Sequence, residues 1–138
     1  MLGDTMITLI GELVADPELR KTSTGTPVCN FTVTSPRRRY DRDAGCWQAA
    51  LPLILRCTIW RGQAENFVAS LREGDRLIVH GRLRPRTFTT SDGASRTALE
   101  LEIAECGPSL LHSTAVPAPS HVHDEQDIDV DDDTQGHR

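Results

Sequence analysis

Apolar side chains recur at every second position through most of residues 5–106, the period of strands with one buried face. From Thr5 to Val14, Ile7, Leu9 and Leu13 share a parity with Gly11, which predicts a strand bent or bulged at the glycine. Asp16-Pro17 breaks the run, and Glu18 to Thr22 predicts only a short extended piece. After a turn at Ser23-Thr24-Gly25-Thr26-Pro27, Val28 to Ser35 sets Cys29, Phe31 and Val33 against Val28, Asn30, Thr32 and Thr34. Leu51 to Trp60 sets Leu53, Leu55, Cys57 and Ile59 against Ile54, Arg56, Thr58 and Trp60. The period then changes. Ala64, Phe67, Val68 and Leu71 fall at i, i+3, i+4 and i+7, one face of a helix from about Gln63 to Leu71. Asp75 to Phe88 alternates Leu77, Val79, Gly81 and Leu83 with a mostly cationic set that includes Arg82, Arg84 and Arg86. A hairpin signal at Asp92-Gly93 leads into Thr97 to Cys106, where Leu99, Leu101 and Ile103 oppose Glu100 and Glu102.

These segments predict an all-β fold of five strands with one short helix between the third and fourth. Glycines inside two strands suit the corners of a small barrel, and closure removes exposed edges, so a five-stranded oligonucleotide-binding (OB) fold fits the order. Residues 36–50 are polar, carry Arg37-Arg38-Arg39-Tyr40-Asp41-Arg42, and read as a functional loop. Residues 1–111 form the expected domain. Residues 112–138 read as a disordered acidic tail, since a segment so poor in apolar groups cannot offset its ordering entropy.

Charge follows the same division. Residues 1–113 hold 14 Lys and Arg against 13 Asp and Glu, and residues 114–138 hold one Arg against seven acids. The net charge of −5 therefore describes the tail. In the domain every cation but Lys21 is arginine, whose planar fork suits phosphate and stacks on bases. Arginine-favouring codon usage would give the same bias. The longest apolar run, Ala49 to Leu55, contains Pro52 and is far short of the roughly 18 residues of a membrane span. With no signal-peptide pattern at the start, a soluble cytoplasmic chain with reduced thiols at Cys29, Cys46, Cys57 and Cys106 is expected.

The candidate chemistry is binding. No phosphate-loop, dinucleotide, esterase or zincin motif occurs, so no enzyme, cofactor or metal site is expected. His121 and His123 lack a third ligand, and Glu100 and Glu102 read as solubilising acids on one strand face. Three aromatics stand among arginines: Tyr40 beside Arg37, Arg38 and Arg39; Trp60 beside Arg61 on the parity of Arg56; and Phe88 on the parity of Arg84 and Arg86. Strand alternation turns Trp60 and Phe88 away from the aliphatic face, while Phe31 and Phe67 lie on it and belong to the core. A single strand of nucleic acid needs a cationic path for phosphates and flat groups under its bases. Three stacked bases at about 1–3 kcal/mol each would contribute roughly 3–9 kcal/mol before ordering costs.

The chain resembles a bacterial single-stranded DNA-binding protein of the actinobacterial type over about residues 3–111. The resemblance is carried by Ile10-Gly11-Glu12-Leu13, Asp16-Pro17-Glu18-Leu19-Arg20, Val28-Cys29-Asn30-Phe31-Thr32-Val33, Leu55-Arg56-Cys57-Thr58-Ile59-Trp60-Arg61 and Gly74-Asp75-Arg76-Leu77-Ile78-Val79-His80-Gly81-Arg82-Leu83. It implies a homotetramer that coats unpaired DNA during replication, recombination and repair, associated with the nucleoid. It places base-stacking aromatics at Tyr40, Trp60 and Phe88, and phosphate contacts at Arg20, Arg56, Arg61, Arg84 and Arg86. The oligomeric state rests on the resemblance alone. An OB barrel used for RNA or for protein interaction stays open as the alternative. The chain departs from the family pattern at Ile54, where an aromatic is usual, and at Glu12, where Asn is common. It also ends Asp131-Asp132-Asp133-Thr134-Gln135-Gly136-His137-Arg138 without the family's Pro-Phe tip, so weak or no tail-mediated recruitment of replication and repair proteins is expected.

Overall fold

A computed structural model of the chain describes residues 3–120. The strands are β1 (Met6–Leu13), β2 (Arg20–Lys21), β3 (Pro27–Asp41), β4 (Cys46–Trp60), β5 (Arg76–Thr89) and β6 (Ser95–Pro108), with one helix, α1 (Arg61–Ser70), between β4 and β5. The sheet runs β1-β5-β6-β4-β3-β2, and an additional β1–β3 pairing closes it. All strand pairs are antiparallel except β4–β6, where Arg56, Cys57 and Thr58 run parallel to Glu100, Leu101 and Glu102. Five strands therefore form the barrel, and the extended piece expected near Glu18 contributes only the two-residue edge strand β2.

The alternation read from the sequence becomes the inside of the barrel, except that Leu53 and Leu99, on the same parity, are exposed because β4 and β6 run past the core at those positions. Leu9, Leu13, Cys29, Phe31, Val33, Leu55, Cys57, Ile59, Leu77, Val79, Leu101 and Ile103 are all buried in one cluster. Helix α1 covers this cluster with Ala64 and Phe67, and Leu71 at its C-cap joins them. Phe67 stacks on Phe31 with ring centroids 4.3 Å apart. The helix begins two residues earlier than its apolar period predicts, because Arg61 takes a left-handed φ of 62° that turns the chain sharply out of β4.

Two glycines make the closure possible by close approach. A Cβ on Gly11 would lie 2.4 Å from the backbone oxygen of Thr34, where β1 passes from β5 to β3. A Cβ on Gly81 would lie 2.1 Å from the backbone oxygen of Glu102, next to the bulge between His80 and Gly81. Neither site has room for a side chain.

The polar segment 36–50 is the main correction. It is not a loop but a protruding two-stranded arm, with Arg37 paired to Ala50, Arg38 to Ala49, Arg39 to Gln48, Tyr40 to Trp47 and Asp41 to Cys46. Its tip is a tight turn in which Gly45 donates to the Asp41 carbonyl at 2.8 Å, and Asp41 Oδ1 accepts from the backbone N–H groups of Asp43 and Ala44. No core lies beneath the arm, so neither of its faces carries the apolar period that betrays a strand. A register shift between Ser35 and Arg37 marks where barrel becomes arm. Pro36 and Pro52 both lie at this shift and neither can donate to the ladder.

Past β6 the chain has no regular structure through Ser120. The run Asp124 to Asp133, the pair His121 and His123, and the expected tail disorder lie outside the described residues from 121 onward. Among the described residues no helix is long and apolar enough to cross a membrane.

Candidate nucleic-acid interface

Once Leu55, Cys57 and Ile59 point inward, Arg56, Thr58 and Trp60 must point outward from β4. The same rule turns Glu100 and Glu102 outward from β6, and Arg82, Arg84, Arg86 and Phe88 outward from β5. The registers then set Arg56 and Arg84 on either side of Glu100, and Arg82 beside Glu102. An open groove of about 390 Å³ follows, lined by Arg20, Val28, Asn30, Arg56, Thr58, Trp60, Arg84, Pro85, Arg86, Glu100 and Glu102. Trp60 stays 38% exposed, paired across the ladder with the fully buried Val28, which in turn pairs with Arg20. Beside it Thr58 Oγ1 donates to Asn30 Oδ1 at 2.9 Å, which satisfies the polar wall of the groove.

Glu100 and Glu102 are not simple solubilising acids. Glu100 Oε2 lies 2.8 Å from Arg86 Nε and 3.3 Å from Arg56 Nε, so one carboxylate holds arginines from two strands. Glu102 Oε1 accepts from Arg82 Nη2 at 2.6 Å and from Arg82 Nε at 2.9 Å, and its other oxygen accepts from Arg84. Arg82 also reaches Asp4 at 3.4 Å. Burial pushes the Glu102 carboxyl up, but the hydrogen bonds from Arg84 and Arg82 outweigh it, so its pKa is lowered and it stays ionised. The Arg82 guanidinium is correspondingly raised, chiefly by its hydrogen bond to Glu102. Arginine forks held this way face solvent in set directions.

The structure brings Arg20, Arg56, Trp60, Arg84 and Arg86 together in the groove. Phe88 lies just beyond it, 37% exposed, with the Arg86 guanidinium carbon 5.1 Å from its ring centroid. Arg61 is exposed at the start of α1 and does not line the groove. Arg37, Arg38, Arg39 and Tyr40 are exposed on the arm, away from the groove lining. Ile54 is exposed on the outer parity of β4 opposite Thr34, and Glu12 is half-buried opposite Thr34 and Arg76.

Sequence reasoning missed Trp47. It is 63% exposed and directly opposite Tyr40, the two rings meeting edge to face with centroids 5.5 Å apart. The available signal was the turn from Asp41 to Gly45, which puts Tyr40 and Trp47 at matching distances from the hairpin tip. Among the described residues no group of three or more His, Cys, Asp or Glu is placed to hold a metal ion.

A closed five-stranded barrel with a capping helix, arginines along one outer groove and exposed aromatic rings beside them defines an OB-fold protein suited to nucleic acid. The chain belongs to the single-strand binding protein family, whose family model matches residues 4–108. It is 55% identical over 115 residues to a single-stranded DNA-binding protein of Mycobacterium leprae, covering 83% of this chain and 68% of that one. It is 53% identical over 115 residues to that of Mycolicibacterium smegmatis, covering 83% and 70%. Among solved structures it is similar to the crystal structure of a small single-stranded DNA-binding protein from Streptomyces coelicolor. That match has a TM-score of 0.68 and 28% identity, and covers 79% of this chain and 97% of the other.

Proposed function

We propose that this protein binds single-stranded DNA without sequence preference and serves replication, recombination and repair as a non-enzymatic coat. The observation that carries the reading is the groove in which Trp60 stands among Arg20, Arg56, Arg84 and Arg86, in a chain whose relatives are named as single-stranded DNA-binding proteins. Phosphates lie along these arginines, and Arg37 to Arg39 extend the cationic path onto the arm. Arg61 adds a cation at the edge. Bases stack on Trp60, Phe88 and Tyr40, and Trp47 widens the platform at Tyr40. Stacking is indifferent to base identity because every base has a π-face.

The assembly we assign is a homotetramer associated with the nucleoid in the cytoplasm. Two features support self-association. From Met6 to Leu9, β1 pairs only with β5 and leaves its other edge open, the kind of edge that another strand can extend. On the outer face of the same strands Met6, Ile10 and Ile78 are exposed together, with Ile10 directly paired to Ile78.

Quenching of tryptophan fluorescence by oligo-dT, repeated across salt concentrations, tests the reading. Binding with log K falling at about −0.7 per phosphate contacted is expected. No quenching at low salt overturns it, and an equal or higher affinity for RNA favours the alternative use of the barrel. Light scattering tests the assembly, with four chains per particle expected and a monomer at micromolar concentration contradicting it.

A further inference from the structure

The binding face is self-neutralised. Glu100 sits between Arg56 and Arg86, and Glu102 between Arg82 and Arg84, with Asp4 also on Arg82, so three carboxylates offset most of the charge of four arginines, two of them from β6. The two glutamates are alternate residues of β6 on one face, spaced by about 6.6 Å along the strand. The Glu100 oxygen that touches both arginines is buried beneath them and makes no directed hydrogen bond. The arginines above it are partly open to solvent, the Arg56 and Arg86 side chains being 47% and 42% exposed. A phosphate can therefore reach these arginines from outside while Glu100 stays underneath. Arg86 is also the group lying over Phe88, which ties the carboxylate to a stacking ring through a single side chain.

Resting on the single-stranded DNA reading, we infer that Glu100 and Glu102 set the selectivity for unpaired strands by discounting the phosphate contribution to binding. A single strand has two sources of affinity here, phosphates on arginines and bases on aromatic rings. A duplex hides its bases in the stack and relies on the phosphates alone. Cancelling arginine charge weakens the duplex more than the single strand, because its charge density is higher and its log K responds at about −0.9 rather than −0.7 per phosphate contacted. Only the single strand keeps a second source. The ion pairs themselves are half-exposed and contribute little to stability, so their position matters more for the ligand than for the fold.

The test uses the full chain with Glu100→Gln, Glu102→Gln and the double substitution, and with Glu105→Gln as a control on the same strand outside the groove. Glutamine keeps the shape and an acceptor oxygen while removing the charge. Glu100→Gln is expected to tighten oligo-dT binding about 3- to 10-fold at low salt. Its salt dependence should steepen by up to about 0.7 in log K per log salt. Binding to a duplex of equal length should gain by a larger factor, and the double substitution should exceed the single one. Glu105→Gln should change neither. Unchanged or weaker oligo-dT binding by Glu100→Gln overturns the inference, as does a duplex gain smaller than the oligo-dT gain. A wild-type chain that binds no oligo-dT removes the underlying reading as well, whereas wild-type binding with unaltered variants removes only this one.

Discussion

The barrel and the arm are built from the same two strands and behave by different physics. In the lower halves of β3 and β4, from Val28 to Val33 and from Leu55 to Trp60, alternate side chains are buried and most of the ladder packs against other elements. In the upper halves, from Arg37 to Asp41 and from Cys46 to Ala50, nearly every side chain is exposed and each strand pairs only with the other. The lower half is held by apolar burial, the upper half by main-chain hydrogen bonds, one aromatic pair and a turn. Stability therefore concentrates in the barrel. The arm is free to carry arginines and rings that a folded core would not tolerate.

The comparison breaks first if changes in the barrel prove mild. Phe67→Ala should destabilise by about 3–5 kcal/mol, since it removes the ring stacked on Phe31 inside the core. Gly81→Ala should cost roughly 3 kcal/mol, because the added carbon meets backbone oxygen rather than a movable side chain. Chemical denaturation reads both, and a loss under 1 kcal/mol for either would mean that the barrel is not the rigid half.

It is sharpened by a separation of effects in the arm and groove. Trp60→Ala should weaken oligo-dT binding by about 1–3 kcal/mol, or roughly 5- to 150-fold. Tyr40→Ala and Trp47→Ala should each weaken it by about 1 kcal/mol while leaving the melting midpoint nearly unmoved, since neither ring touches the core. Arm variants that lower the melting temperature by several degrees would show that the arm supports the barrel after all.

The smallest effect is chemical. Burial pushes the Cys57 and Cys106 thiols up to about 12, and burial also raises Cys29, so all three are poor nucleophiles in the folded chain. Cys46 is exposed at the arm tip. A disulfide reagent at pH 8 should label Cys46 rapidly and the other three only on unfolding, counted by mass. Rapid labelling of Cys57 would contradict the closed barrel.

What could be read in the chain tracks this same division. Leu9, Cys29, Phe31, Cys57, Ile59, Leu77, Val79 and Leu101 announce the barrel because a one-sided core imposes a period of two on any strand that lines it. The helix is legible for the same reason at a period near four. Arg56, Trp60, Arg84 and Arg86 follow as the opposite parity, so most of the groove is visible before any coordinates. The arm is not, because without a dry face its residues obey no period, and Trp47 passes as one more residue of a polar stretch.

The amino-acid order by itself determined which faces are dry, where glycine must stand, and that arginines share a face with aromatic rings. These are local consequences of side-chain alternation along a strand. Only the tertiary structure decided that β6 runs parallel to β4 and antiparallel to β5, bringing Glu100 between Arg56 and Arg86, residues 44 and 14 positions away in the chain. A carboxylate that looks solvated from its neighbours in sequence becomes the counter-ion of a binding groove once three distant strands are laid side by side. Charge pairing across a sheet depends on register and strand order, and neither is written in the spacing of any single segment.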